Sequence, residues 1–239
     1  MDFFYGLIAV AIERFYAIDK WHKRFNWFNS YLNLVHKVAK GLPGWATVVI
    51  ATVPVPFILA MIVAAFSHGV FHVFAFALTV LLVVYCLGPT NIFSQVHQGD
   101  GMKAEDAVIA LNHNVVAVLF WYALLGVFGA VLYRCARLFL EHDTNADRQQ
   151  YLVQVMDGFD WMPARLLGLV LALGGHFMAV FNAWMKQAFN GLDDSSQLLR
   201  ECSRAALTDE EAQDGKAVAK LLDRTSIILA VIWGLIVLL

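Results

Sequence analysis

Two apolar runs, residues 45–66 and 70–88, are separated by only Ser67, His68 and Gly69. A helix rises about 1.5 Å per residue and the hydrocarbon of a bilayer is about 30 Å thick, so roughly 20 apolar residues cross it. Each run is long enough to cross, and the link is too short for a domain, so the pair forms a tight helical hairpin. Pro54 and Pro56 would break a soluble helix but are tolerated in membrane helices. Composition points the same way. Of 239 residues, 60% are hydrophobic and 15% charged, with a mean hydropathy of +0.63; soluble domains run near about 45–50% and about 25%. One core of this size cannot hide that much apolar surface. An ordinary soluble enzyme and a disordered regulator are both excluded.

The rest of the chain divides around this hairpin. Residues 3–18 are apolar but short for a span, and Glu13–Arg14 interrupts them near the end. Asp2 stands where the basic region of a signal peptide belongs. Residues 19–44 alternate lysines and an arginine with Trp21, Phe25, Trp27, Phe28 and Tyr31, the pattern of an interfacial amphipathic helix on the cytoplasmic face. Residues 89–114 are polar, with one short helix over AEDAVIALNHN. The run 115–139 has two readings: one span, or two half-helices broken at Gly126 and Gly129 that form a re-entrant hairpin with both ends cytoplasmic. Residues 140–162 read as a polar stretch, Pro163 as the first-turn residue of a helix over 164–185, and 186–224 as a cytoplasmic segment with two helices. The second of these starts at Thr208, where T-D-E-E fits a capping box with Glu211. A last apolar run covers 225–239. If 115–139 and 164–185 do not cross, nearly every Lys and Arg becomes cytoplasmic, which fits the positive-inside rule better. The expected fold is therefore an all-α integral membrane protein in a single domain, 1–239, with about four crossing helices, a re-entrant hairpin and amphipathic cytoplasmic helices.

Lys and Arg number 17 against 19 Asp and Glu, a net charge of −2, so there is no basic field for nucleic acid. The lipid bilayer is the first partner. Cys86, Cys135 and Cys202 are scattered and odd in number, and read as small apolar fillers rather than a redox or disulfide set. His68 and His72 share a helical face but lack an acidic third ligand, so no metal is expected; His22, His36, His97 and His142 belong to no constellation. Phosphate-loop, dinucleotide, zinc-protease and nucleophile-elbow motifs are all absent, and nothing names a cofactor or catalytic residue.

The candidate site is polar. Asn112, His113 and Asn114 precede the 115–139 run, Arg134 and Arg137 end it, and Asp157, Asp160 and Arg165 follow. In the re-entrant topology these face one cytoplasmic mouth, where guanidinium groups suit a small anionic ligand. Alternatively the charges pair with one another and position helices. His176, after two glycines, is either a buried hydrogen-bonding residue or part of the ligand site. Glu13–Arg14 is either a local pair or a cap on the same mouth. The glycines at 126, 129, 168 and 174 are small faces through which a homo-oligomer or larger complex could pack.

These residues carry a resemblance. The segment D-W-M-P-A-R-L-L-G-L-V-L-A-L-G-G-H, residues 160–176, resembles the AmpE family of inner-membrane proteins and, more distantly, the CobD/CbiB proteins of cobalamin biosynthesis. E-R-F at 13–15, L-F-W-Y-A-L-L-G-V-F-G-A at 119–130 and R-T-S at 224–226 are similar to AmpE in the same order. The resemblance implies a bacterial inner-membrane regulator or sensor linked to β-lactamase induction and cell-wall recycling, rather than a defined reaction. The cobalamin branch implies ATP-dependent amide-bond formation, but residues 90–114 are shorter than in those enzymes, and Y-R-C-A-R at 133–137 lacks their later asparagine–aspartate motif.

Overall fold

The computed structural model describes residues 26–66, 72–87, 96, 102–188, 191, 195–208, 211 and 214–238. Every regular element among them is helical: α1 (Asn26–Val38), α2 (Gly44–Thr52), α3 (Pro54–Phe66), α4 (His72–Cys86), α5 (Ala104–Leu111), a π-helical turn (Asn112–Val116), α6 (Ala117–His142), α7 (Ala146–Gly174), α8 (Phe177–Gln187), α9 (Ser195–Ala206) and α10 (Gly215–Leu238). The apolar run 3–18, Glu13, Arg14 and His68 lie outside the described residues.

Helix α1 is the described part of the amphipathic 19–44 segment. Phe28, Leu32, Val35 and Ala39 are buried at helical spacing, while Leu34 and Val38 remain exposed beside the polar face. The helix stops at Val38 rather than continuing to 44, because Gly41 takes φ +86° and Pro43 begins the next element. Helices α2 and α3 are nearly one helix, since Val53 keeps helical angles between them. Pro54 has no N–H for the carbonyl four residues back, and the Tyr31 hydroxyl takes that place, 3.2 Å from Ile50 O and 3.1 Å from Ala51 O. Helix α4 returns beside α3, with Phe66 and Phe74 rings 5.2 Å apart.

The α6 segment is broken into two halves, as the second reading expects of the backbone. Gly126 has φ +64° and ψ −150°, which breaks the helix; such angles are essentially restricted to glycine. The chain reverses there. His113 Nδ1 lies 2.9 Å from Arg137 Nη2, whereas a straight helix would separate those residues by about 36 Å. Gly129 faces the first half of the hairpin so closely that a Cβ would run into the Trp121 carbonyl and come within 2.8 Å of Leu125 Cβ. The second half supplies two of the largest fully buried side chains among the described residues, Tyr133 and Phe139.

Three boundaries differ from the sequence expectation. The polar stretch 140–162 is mostly helix, because Leu152, Met156 and Asp160, four residues apart, form a buried stripe on α7. The Asn145 side chain caps that helix, accepting from the N–H groups of Asp147 and Arg148. Pro163 therefore sits inside a 29-residue helix, not at its start. The missing Pro163 N–H frees Phe159 O, and the Trp121 indole N–H donates to it at 3.0 Å. The expected 164–185 helix is two helices, split at Gly175, where a Cβ would meet Ala206 O at 2.9 Å. Thr208 and Glu211 do make the capping-box bonds, but the helix that follows begins only at Gly215.

The sequence predicts four crossings. Among the described residues, two helices are long and apolar enough by length and composition, the 23-residue Gly44–Phe66 and the 39-residue stretch Ala104–His142; Val73–Cys86 is apolar but shorter. The longer stretch is folded back at Gly126 and is not a single rod.

Candidate functional site

A polar network occupies the open end of the α6 hairpin. Its centre is Asp160 on α7, a buried carboxylate. The Tyr133 hydroxyl donates to Asp160 Oδ1 at 2.7 Å. On the other oxygen, His113 Nε2 lies 3.3 Å away and Arg137 Nη1 4.0 Å away. Arg137 also reaches Glu141 Oε1 at 3.3 Å, one turn further along α6. A guanidinium can only donate, so His113 Nδ1 accepts from Arg137 and the ring proton sits on Nε2, facing the carboxylate. The network is graded in depth. Asp160 and Tyr133 are closed off, while the Arg137 side chain keeps 22% exposure and Glu141 46%. Arg137 is thus the lip of the site and Asp160 its floor.

His113 enters this network from the π-helical turn. That extra backbone residue per turn re-aims side chains, and such turns concentrate at functional sites. Its neighbour Asn112 is fully buried, and its side-chain amide has no hydrogen-bond partner among the described residues. Asn114 and Asp157 are half-buried.

Three other predicted residues cap helices. Arg134 Nε donates to Cys86 O at 2.6 Å, at the end of α4. Arg165 Nε donates to Ala188 O at 2.6 Å, at the end of α8, and its guanidinium lies 4.1 Å over the Trp161 ring. The exposed His176 has Nδ1 3.2 Å from Ala206 O, the last residue of α9. The two guanidinium donors suit helix C-termini, where carbonyls are unpaired and the dipole is negative. The W-M-P-A-R-L-L-G segment is accordingly a packing hub. Pro163 leaves a carbonyl for Trp121, Arg165 caps α8, and Gly168 seats Trp184, whose Cδ1 would lie 2.6 Å from an added Cβ.

Within the described part, His113, Arg137 and Asp160 come together, while Arg134, Arg165 and His176 stand at three separate helix ends. Tyr133 and Glu141 belong to the network and were not singled out in the sequence. Both were legible: Tyr133, Arg137 and Glu141 are four residues apart on one helical face.

Two further polar clusters lie away from the network. Asp143, between α6 and α7, is held by Arg148 Nε at 2.5 Å and Nη2 at 2.8 Å, and Gln149 Nε2 donates to its backbone carbonyl. Burial pushes the Asp143 carboxyl up. The Arg148 hydrogen bonds, the Asn145 backbone N–H and the Arg148 charge outweigh that, and hold it below the usual carboxylate range. On α5, Glu105 pairs with Arg204 at 2.7 Å and Arg200 at 3.5 Å. All three cysteines are buried thiols, and burial pushes the Cys202 thiol up to about 12. Among the described residues no group of three or more His, Cys, Asp or Glu could hold a metal ion.

The described residues form an all-helical architecture in which one apolar helix of membrane length, Gly44–Phe66, stands beside a folded-back apolar hairpin. Residues 101–239, from α5 through the end of α10, match the family described as regulatory signalling modulator protein AmpE, and the chain belongs to that family. A cobalamin biosynthesis protein CobD from Chromobacterium violaceum is 36% identical over 80 residues, covering 31% of this chain and 25% of that protein. The chain thus spans about a quarter of the length of this curated relative. No solved structure matches.

Proposed function

We propose that this chain is a multi-pass protein of the bacterial inner membrane that acts as a regulator or sensor in β-lactam response and cell-wall recycling. Its sensing element is the Asp160 network, and its ligand is a small anion that engages Arg137 at a cytoplasmic mouth. The AmpE membership supports the regulatory class, and the apolar length of Gly44–Phe66 and the apolar composition of the Ala104–His142 hairpin support the membrane setting. The hairpin fits a re-entrant element. From Arg137 down to Gly126 is about 16 Å of helix at about 1.5 Å per residue, roughly half the hydrocarbon thickness. Non-helical backbone at such depth is tolerated only where protein shields it, and α7 lies alongside, with Phe159 against Trp121 at 5.0 Å between rings.

One observation carries the site: a partly exposed guanidinium is held over a buried carboxylate by an imidazole that can only accept from it. An arriving anion competes for Arg137, and its departure from His113 reaches Asp160 and Tyr133 on two different helices. The test is a deletion strain complemented with wild type or Arg137→Gln. Induction of β-lactamase and the muropeptide pool should shift on deletion and stay shifted with the variant. Unchanged response and pool in the deletion strain would overturn the reading.

A second reading, a membrane enzyme of amide-bond formation, is favoured by the CobD match. Purified protein that binds no nucleotide would count against it.

A further inference from the structure

The lip of the Asp160 network carries a second carboxylate. Glu141 stands one turn beyond Arg137 on α6, and its Oε1 lies 3.3 Å from Arg137 Nε. Among the described residues Arg137 is its one hydrogen-bond partner. Glu141 is also the most exposed member of the network, at 46% in its side chain. An exposed pair four residues apart on a helix adds little to stability, and Tyr133 and His113 reach Asp160 without it. The position of Glu141, rather than its binding energy, calls for an account.

The donors of Arg137 show what that position blocks. A guanidinium takes a carboxylate or phosphate through two parallel N–H groups along one edge. Nη2 reaches His113 Nδ1 at 2.9 Å, and Nη1 faces the buried Asp160 Oδ2 at 4.0 Å. The Nε–H faces Glu141 on the exposed side. An anion from outside therefore meets Arg137 where Glu141 already lies. Charge adds to the block. Within the network two carboxylates, Asp160 and Glu141, face one guanidinium. His113 accepts at Nδ1 and carries its proton on Nε2, so it adds no charge. Arg134, one turn back, is directed to the Cys86 carbonyl. An anion that arrives with Glu141 in place brings a third negative charge, whereas one that displaces Glu141 exchanges like for like.

We propose that Glu141 is a built-in competitor of the ligand: its carboxylate holds the outer edge of Arg137, and the anionic group of the ligand binds by taking that edge from it. The contact is autoinhibitory, because it raises the concentration of anion needed to engage Arg137. It is also selective. Glu141 accepts from Nε alone, in a single long bond, so a group that offers two oxygens to the edge outcompetes it. The inference rests on the proposed anion site at Arg137 and adds its regulation.

The experiment uses the full-length protein in detergent and follows labelling of Arg137 by phenylglyoxal, read by peptide mass spectrometry, with inorganic phosphate as the probe. Phosphate should protect Arg137. The half-protecting concentration should fall about fivefold in Glu141→Gln, the effect of removing one like charge about 4 Å away in a water-like medium. Thermal unfolding of Glu141→Gln should match wild type; a lower midpoint would make Glu141 a structural brace and overturn the proposal. Glu201→Gln removes another exposed carboxylate, one that pairs with Arg204 on α9, and should keep the wild-type half-protecting concentration. An equal fall in that variant would assign the effect to net charge and overturn the proposal. An unchanged value in Glu141→Gln would overturn it and leave the anion site standing. Absence of protection in both wild type and Glu141→Gln would overturn the anion site, and the proposal with it.

Discussion

Asp160 and Arg165 sit five residues apart on α7, in one sequence segment, and do opposite kinds of work. Asp160 shares its two oxygens among Tyr133, His113 and Arg137 from two elements of the hairpin. Arg165 sends its Nε–H to the Ala188 carbonyl at the end of α8 and its Nη1–H to the Trp161 carbonyl of its own helix, and lays its plane on the Trp161 ring. The first arrangement is a closed network whose members depend on one another, while the second is a local cap. Charge at membrane depth defaults to a functional reading, but the partners separate the cases. A charge that meets only a helix end is explained by that helix end, whereas a charge that couples several titratable groups needs a further reason.

The comparison predicts a hierarchy of losses. Asp160→Ala should be the most damaging, because it leaves Arg137, His113 and Tyr133 around an empty floor; breaking a buried pair costs about 3–5 kcal/mol. Thermal unfolding in detergent should fall accordingly, and arginine-specific labelling of Arg137 should rise. A loss under about 1 kcal/mol would show that the network is not a unit. Arg165→Met keeps the packing over Trp161 and removes the cap. It should cost about 1.5–3 kcal/mol, with the change confined to Trp184 fluorescence, since the Trp184 indole N–H bonds Arg165 O at 2.9 Å. The two losses should add in the double variant to within about 0.5 kcal/mol, having no shared partner. Strong non-additivity would erase the distinction between them.

How much of this was legible in the sequence divides along the same line. The 45–66 helix and the reversal at Gly126 follow from local facts, apolar length and a glycine in an apolar run. Pro163 misled because its compensation is not local. Alone it looks like a helix start; the indole that takes its orphaned carbonyl is Trp121, on another helix. Tyr31 does the same for Pro54. The helix-end bonds of Arg134 and Arg165 were hidden for a related reason, because a helix C-terminus that needs a donor is invisible until the fold brings it near. Tyr133 and Glu141 are different: the four-residue spacing from Tyr133 to Arg137 to Glu141 was in plain view, and only the polarity of their neighbours hid it.

Asp143 extends the comparison to the surface. Its carboxyl is depressed by Arg148, so the folded value lies below the unfolded one. The stability it contributes is full above the ordinary aspartate range and is lost as pH falls through the folded value. Acid titration should therefore loosen the α6–α7 connection as pH falls through that value. Asp143→Asn should remove that acid step and leave the neutral-pH fold intact. An acid profile identical in the variant would assign the step elsewhere.

The smallest effect belongs to Glu105, whose pairs with Arg200 and Arg204 fasten α5 to α9 in the open. Arg204 is more than half exposed in its side chain, at 58% against 20% for Glu105, so water and salt screen the attraction. Measured surface pairs of this kind contribute little. Glu105→Gln should leave unfolding in detergent within error, and raising ionic strength should move the wild type no further than the variant. The apolar face beneath explains why: Ala104, Ala107, Val108 and Leu111 of α5 and Leu198, Leu199, Cys202 and Ala206 of α9 are buried, and that packing already holds the two helices. A large loss in Glu105→Gln would mean that charge rather than packing positions α5. Since α5 leads directly into the π-turn that carries His113, the Asp160 network would then be tuned from an exposed ion pair, and the line between the two regions would have to be redrawn.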